Sequence, residues 1–175
     1  MIRIFLRSVI LIALSASVSS CGNQAEPYPD AEITETEAGN TLIVSEDFTA
    51  MILTGEFMEA QAPWVSPSEY WTPTVDQIFE IESNLTEYLA QHGDGFNSGH
   101  APDQEELSTY GRQYFGMTNE EGTSIVGHFF CSQDIKDLDW QNRILSVKGG
   151  GDCFFSIWWH PDAREFFAVH ANSPE

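Results

Sequence analysis

The chain has 175 residues, of which 42% are hydrophobic and 19% are charged. This composition is typical of one globular domain with additional segments, and it excludes a collagen, a coiled coil and a wholly disordered chain. The formal net charge is −20, from 27 acidic and seven basic residues. A surface this acidic repels a phosphate backbone and favours encounters with cationic partners, so we expect no nucleic-acid partner.

Residues 1–20 show the three parts of an export signal: two basic residues near the start, an apolar run over Val9–Leu14, and small residues before Cys21. The apolar run is shorter than the roughly 20 residues that a membrane-spanning helix needs. The ending Val18-Ser19-Ser20-Cys21 resembles the lipobox of bacterial lipoproteins. Val18 departs mildly from that pattern, because Leu is commonest at its position.

This resemblance implies that the chain is cleaved before Cys21, which then carries a diacylglyceryl thioether and an acylated amino group. Several acyl chains anchor a protein to a membrane firmly. By analogy with bacterial lipoproteins, Gly22 in place of Asp implies sorting to the outer membrane, with the domain facing the periplasm. The alternative is an ordinary secretory signal cut near Ser20, which would leave Cys21 as a spare thiol.

Residues 21–40 are rich in Glu, Thr, Pro and Gly and poor in large apolar side chains. Such a segment buries too little surface to offset its ordering entropy, so we predict a disordered acidic tether. Fully extended, it would reach ~60 Å. Residues 41–175 are then a single periplasmic domain, long enough for one hydrophobic core.

The clearest helix runs from Thr74 to His92. Thr74 and Gln77 fit a capping box, and Gly93 follows the end of the helix. Apolar residues recur at spacings of three, four and seven, which predicts one buried stripe. The stripe contains Val75, Ile78, Phe79, Leu85 and Leu89.

Short β-rich runs separated by turn signals predict the strands. They are Thr41–Val44, Tyr110–Met117, Ser124–Cys131, Arg143–Lys148, Asp152–His160 and Glu165–His170. We therefore predict an α+β fold in which one long helix packs on an antiparallel sheet of about four to six strands. This layout resembles the cystatin-like and NTF2-like architectures, an analogy that carries no function with it.

The fifth of these strands presents a row of aromatic residues. Phe154, Trp158 and His160 alternate onto one face, and Trp159 lies on the other. If the face of Trp158 is open it is a binding surface, and if other rings cover it, it is core. The predicted binding surface comprises Trp64, Trp158, Trp159 and His160.

Cys131 and Cys153 are the two cysteines that remain after Cys21. Because the periplasm oxidises thiol pairs, we predict a disulfide between them, the alternative being two inert buried thiols. In a plain meander through Arg143–Lys148 the two residues would lie ~20 Å apart at the rise of a strand. The bond therefore requires that Ser132–Asn142 cross the sheet, or that the meander be wrong.

Three segments of the second half of the chain are similar to the carboxy-terminal half of small, uncharacterised proteobacterial envelope proteins. They are Tyr110-Gly-Arg-Gln-Tyr-Phe-Gly, His128-Phe-Phe-Cys131 and Gly149-Gly-Gly-Asp-Cys-Phe-Phe155. The resemblance covers a third to a half of the chain. It implies an envelope protein and brings no activity or functional residue with it.

Two groups of residues suggest chemistry. His92, Asp94, His100 and Asp103 lie in one Gly-rich loop, but their spacing matches no calcium loop, and the loop is ordinary turn chemistry. His160, Asp162 and His170 could form an acid–base group if the turn between their strands brings them together. We predict no metal site and no cofactor.

Two functions follow from these observations. The first is a non-catalytic, lipid-anchored interaction or structural module that meets an envelope protein, a cell-wall component or a cationic partner. The alternative is a periplasmic hydrolase or metal-dependent enzyme that uses His160, Asp162 and His170 or the loop from His92 to Asp103. Convergence of two His and an Asp in a pocket would favour the enzyme.

Overall fold

The structure is a computed structural model that describes residues 28–62, 67, 69–131 and 139–174. In these ranges the chain forms an α+β fold of eight strands and three α-helices. The strands are β1 (Glu32–Glu35), β2 (Thr41–Val44), β3 (Thr49–Ile52), β4 (Glu69–Trp71), β5 (Tyr110–Asn119), β6 (Gly122–Cys131), β7 (Phe154–His160) and β8 (Glu165–Ala171). The helices are α1 (Gly55–Gln61), α2 (Val75–Gln91) and α3 (Gln104–Ser108).

The eight strands form one sheet in the order β1-β2-β3-β5-β6-β7-β8, and β4 pairs with β5 beside β3. The prediction of an α+β fold is confirmed, but the prediction of four to six antiparallel strands is wrong. The sheet is larger, and it is mixed because β3 and β5 run parallel. The strands that the sequence pattern missed are three or four residues long, too short to show an alternation of apolar and polar residues.

Residues 28–40 belong to the folded part, which corrects the prediction of a disordered tether reaching residue 40. Strand β1 pairs with β2 through a turn in which the Thr36 amide donates to the Asn40 carbonyl. All four residues of β1 are exposed, so the strand buries no apolar face that a sequence pattern could reveal. Residues 21–27 of the predicted tether lie outside the described residues.

Helix α2 begins and ends where the sequence predicts. Thr74 accepts a hydrogen bond from the Gln77 amide, and the Gln77 side chain accepts one from the Thr74 amide, which completes the capping box. Its apolar residues cover the first face of the sheet, where they meet β5, β6 and β7. The buried helix residues are Ile78, Phe79, Ile81, Glu82, Leu85 and Leu89.

Glu82 is the one charged residue in this buried stripe, and it faces Arg112 of β5. The Arg112 Nε lies 3.2 Å from Glu82 Oε1, and the Tyr114 hydroxyl donates to the same oxygen at 2.7 Å. The guanidinium also lies 5.3 Å from the ring centres of Phe48 and Phe129. Burial raises the pKa of Glu82, and the nearby guanidinium and the Tyr114 hydroxyl oppose that change.

The second face of the sheet is covered in two places. Helix α1 packs through Met58 on a small cluster that includes Phe115 and Val126. The segment 139–148 lies over the neighbouring part of this face, where Trp140 and Ile144 pack on the same cluster. Within the described residues, no further segment covers the second face between the end of β5 and β8.

The segment Arg143–Lys148 is not a strand, which corrects another prediction. Buried Gln113 of β5 holds the segment: its amide nitrogen donates to the carbonyls of Trp140 and Arg143, and its amide oxygen accepts from the Leu145 amide. One side chain therefore satisfies the backbone groups that a strand would satisfy through a ladder. A sequence pattern cannot show this substitution.

Without that strand, β6 and β7 pair directly as antiparallel neighbours, with Phe130 opposite Phe154. The end of β6 then lies beside the start of β7, and Cys131 and Cys153 form the predicted disulfide with a Cα–Cα distance of 5.1 Å. The conflict between the bond and the meander is resolved, because it was the predicted intervening strand that was wrong.

Candidate binding cleft

The open part of the second face forms a cleft of about 370 Å³ between the ends of β5, β6, β7 and β8. Its floor is the sheet itself, so strand register decides which side chains enter it. Its lining consists of Met117, Asn119, Glu121, Gly122, Ser124, Trp158, His160, Phe167, Ala168 and His170. Four of these residues carry rings.

Strand β7 supplies Trp158 and His160 by the alternation that the sequence predicts. Phe155, Ile157 and Trp159 point to the first face and are buried under α2. Trp158 is half-buried and lines the cleft. Trp159 is only 2% exposed, so its assignment to the binding surface is wrong: the strand period that puts Trp158 in the cleft puts Trp159 in the core.

A β-bulge brings Phe167 into the cleft. Trp158 pairs with Ala168 and Trp159 pairs with Phe166, so Phe167 is an extra residue on β8 without a partner on β7. The bulge allows both Phe167 and Ala168 to line the cleft. Phe167 is 46% exposed, and it is the one exposed Phe, Tyr or Trp among the residues that the structure describes.

The rings of the cleft are held in two pairs. The imidazole of His160 stacks on Phe167 with 4.3 Å between ring centres, and His170 meets Trp158 edge to face at 5.6 Å. His160 Nδ1 lies 3.2 Å from the carbonyl oxygen of Thr123. Because a carbonyl only accepts, this contact requires a proton on Nδ1 and turns Nε2 away from the Thr123 carbonyl.

The predicted group of His160, Asp162 and His170 is only partly assembled. Both imidazoles line the cleft, but Asp162 is exposed in the turn after β7 and is not part of the lining. Within the described residues, no hydrogen bond or ion pair joins Asp162 to either His. Ser124 also lines the cleft. Among the residues that the structure describes, no hydrogen bond joins its hydroxyl to the imidazole of His160 or His170.

The loop from His92 to Asp103 uses its polar groups to hold its own backbone. His92 Nδ1 contacts the Tyr88 carbonyl at 2.8 Å, His100 Nδ1 contacts the Ser98 carbonyl, and Asp103 caps α3. Asp152 fastens the loop to the start of β7 by accepting hydrogen bonds from the amides of Asn97 and Ser98. These bonds lower the pKa of Asp152, although its burial acts in the opposite direction.

No group of three or more His, Cys, Asp or Glu close enough to hold a metal ion occurs within residues 28–62, 67, 69–131 and 139–174. The loop therefore does not bring the side chains of three or more of its candidate ligands together around one metal ion. These candidates are His92, Asp94, His100 and Asp103.

The charge around the cleft is negative. Glu121 is the one carboxylate in its lining, and none of the lining residues is Lys or Arg. Arg164, in the turn before β8, forms an ion pair with Glu80 of α2, which covers the other face of the sheet. A positively charged group that enters the cleft meets the carboxylate of Glu121 and two imidazoles, and it meets no Lys or Arg side chain in the lining.

Sequence reasoning missed Phe167, Met117, Ser124 and Glu121 as cleft residues. The only signal for Phe167 was the pair of adjacent aromatic residues Phe166 and Phe167, which a regular strand would send to opposite faces. The other residues enter through the long β5–β6 hairpin, whose register places Met117 opposite Ser124. Cys21 and Trp64, both named from the sequence, lie outside the described residues.

Comparison with known proteins gives no assignment: no family model, no curated protein and no solved structure matches this chain. Among the described residues, no helix has both the length and the apolar character needed to cross a membrane.

Proposed function

We propose that this protein is a membrane-anchored envelope lipoprotein that acts as a non-catalytic interaction module, and that its binding site is the cleft. The observation that carries the proposal is the exposed ring of Phe167 beside half-buried Trp158 on an uncovered part of the sheet. Large aromatic residues in a partly desolvated pocket are the usual anchors of protein interfaces.

Packing elsewhere on the same face supports this assignment. Helix α1 and the segment 139–148 bury Phe115, Val126 and Phe130. The apolar residues under these two segments are therefore shielded from solvent. The cleft has no such cover from the described chain and still contains four rings. An aromatic surface left open in this way is characteristic of a site that another molecule occupies.

The anchor and the location belong to the same proposal. The signal over residues 1–20 and the lipobox-like ending at Cys21 support lipidation, and Gly22 supports the outer membrane with the domain on its periplasmic face. A disulfide between Cys131 and Cys153 fits an oxidising compartment. The helix α2 across a largely antiparallel sheet keeps the cystatin-like or NTF2-like layout as part of this proposal, as an analogy of architecture.

The proposed partner is a cationic envelope protein. Residues 21–175 hold all 27 acidic residues and five basic ones, a formal charge of −22. A field of this sign increases the rate of encounter with positively charged proteins and disfavours acidic ones. The rings of the cleft would then supply the short-range contacts.

Site-specific photo-crosslinking in cells tests the function. A photoreactive phenylalanine analogue at position 167 is expected to capture a discrete partner. The same analogue at Ile33, which is 52% exposed on β1 at the opposite edge of the sheet, is the matched control. Capture at 167 and not at 33, abolished by adding Trp158→Phe, supports the proposal; equal capture at both positions, or none at 167, overturns it.

A further inference from the structure

We propose that the cleft recognises a guanidinium group, presented by an arginine side chain of a basic protein partner. This inference rests on the proposed function and deepens it, since it names the chemical group that the binding site takes.

The first argument is the character of the rings. One face of Phe167 stacks on His160, so the exposed surface of the Phe167 ring is its other face and edge. Trp158 borders the same space and is half-buried. Aromatic faces attract cations through their quadrupole, with Trp the strongest of the side chains, and the attraction grows when water is partly excluded.

The second argument is charge. The lining offers the carboxylate of Glu121 and the hydroxyl of Ser124 as acceptors, and it contains two imidazoles but no Lys or Arg side chain. Arg164, which follows β7 closely, is paired with Glu80 on the side of α2. An anion would therefore find no Lys or Arg in the lining, whereas a cation finds a carboxylate and open ring faces in one space of about 370 Å³.

The third argument separates guanidinium from ammonium. A guanidinium is flat, weakly hydrated and able to stack on an aromatic ring while its edge donates to a carboxylate. The cleft supplies both groups that this geometry needs: the exposed ring of Phe167 for stacking and the carboxylate of Glu121 as the hydrogen-bond acceptor. An ammonium group is compact and strongly hydrated, so it gains less from a flat ring face.

Binding of small peptides to the full chain, purified in a non-ionic detergent, tests the proposal. The probe is a blocked tripeptide, Ala-Arg-Ala, and its control is Ala-citrulline-Ala, which has nearly the same shape without the charge. The indole N–H resonance of Trp158, assigned by its loss in Trp158→Phe, reports on the cleft. We expect the citrulline peptide to bind about twofold to fivefold more weakly than the arginine peptide, and a lysine peptide to fall between them.

Two exposed substitutions keep the test independent of folding. Phe167→Ala and Glu121→Gln should each weaken the arginine peptide severalfold, while Ile33→Ala should leave it unchanged. Equal affinity for the arginine and citrulline peptides overturns the inference. Tighter binding of free arginine than of the blocked peptide also overturns it, because the cleft would then be a small-molecule site.

The peptide experiment and the crosslinking experiment fail separately. A partner captured at position 167 with no preference for arginine leaves the proposed function in place and rejects the guanidinium. A preference for arginine with no partner captured at 167 leaves the recognition chemistry in place and rejects the interaction in cells.

Discussion

Arg112 and Gln113 are consecutive residues of β5 that organise opposite faces of the sheet. Arg112 lies under α2 and pairs with Glu82, while Gln113 holds the segment 139–148 on the other face. Both side chains are buried, at 2% and 0% exposure. A buried polar side chain is stable only when a specific partner satisfies its hydrogen-bonding groups. Arg112 therefore fixes the position of α2 through Glu82, and Gln113 fixes the position of the segment 139–148.

His128 lies beside this arrangement, on the second face of the sheet. Its ring meets Phe115 edge to face at 5.2 Å, and Leu145 and Val147 of the covering segment lie near it. Burial lowers the pKa of His128 to about 4, although a hydrogen bond with the backbone of Leu145 acts in the opposite direction. In the unfolded chain the same imidazole has a pKa near 6.5.

This difference predicts a pH-dependent stability. A base whose pKa is lower in the folded state binds its proton more readily in the unfolded state, so folding stability falls as the pH drops from about 6.5 towards about 4. Between pH 7 and pH 4.5, wild type should lose about 2 kcal/mol more unfolding free energy than His128→Gln. Urea denaturation followed by tryptophan fluorescence measures both proteins.

His100→Gln is the control, because it removes an exposed imidazole that contacts the Ser98 carbonyl of its own loop. It shows how much of the effect comes from removing any imidazole. Parallel stability curves for wild type and His128→Gln would contradict the prediction, since both proteins would then take up the same protons on unfolding.

At the scale of elements, the β7–β8 ladder shows how one irregularity changes a surface. With a regular ladder continued from Ala168, Phe167 would lie on the opposite face of β8, on the same side as buried Val169. The bulge opposite Trp158 and Trp159 places both Phe167 and Ala168 at the cleft. Bulges are common at sheet edges for this reason, because they redirect a side chain without ending the strand.

A disulfide joins the end of β6 to the start of β7, two strands that are separated by a long connection in the sequence. The bond closes a loop with a sequence separation of 22. In the chain-entropy account, a loop of this length stabilises the fold by about 3 kcal/mol. We therefore expect the double variant Cys131→Ala, Cys153→Ala to lose about that much unfolding free energy in urea denaturation.

Reductant serves as the control. It should lower the denaturation midpoint of wild type towards that of the double variant and leave the double variant unchanged. A wild-type midpoint that does not respond to complete reduction, verified by thiol counting, would show that the bond does not stabilise the fold.

At the scale of the whole molecule, the net charge and the proposed lipid anchor act on the same domain. A net charge of −20 favours solubility and repels other acidic surfaces, and the proposed lipid on Cys21 would hold the domain near the membrane. Strand β1 begins at Glu32, so the ten residues 22–31 separate Cys21 from this strand. Such a segment spans at most roughly 40 Å when fully extended.

We predict that Cys21→Ser abolishes lipidation and the normal processing of the precursor, because the thioether needs the cysteine sulfur. Mass spectrometry of the amino-terminal peptide should show a diacylglyceryl group on wild type and none on the variant. Membrane fractionation should show the matching loss of the lipid anchor, while Cys131 and Cys153 stay paired. An unmodified thiol on the mature amino terminus of wild type would reject the anchor.

Local sequence patterns determined the parts of this protein that depend on neighbours in the chain. The capping box and apolar stripe of α2, the alternation that separates Trp158 from Trp159, and the α+β class are all properties of short segments. The spacing of three or four residues in a helix and of two in a strand makes such features legible without a structure. The pairing of Cys131 with Cys153 was predicted from the small number of cysteines and from the expected oxidising compartment, and the structure contains the bond.

Only the tertiary structure decided what depends on contacts between distant residues. Gln113 holds Arg143–Lys148 as a covering segment, where a strand was predicted. The bulge places Phe167 at the cleft. Strand β1 pairs with β2 in a region that was predicted to be disordered. In each case the stabilising partner lies on another strand or segment, so no local pattern records it. The cleft lies on the part of the second face that the described covering segments leave open, so packing across the sheet decides its position.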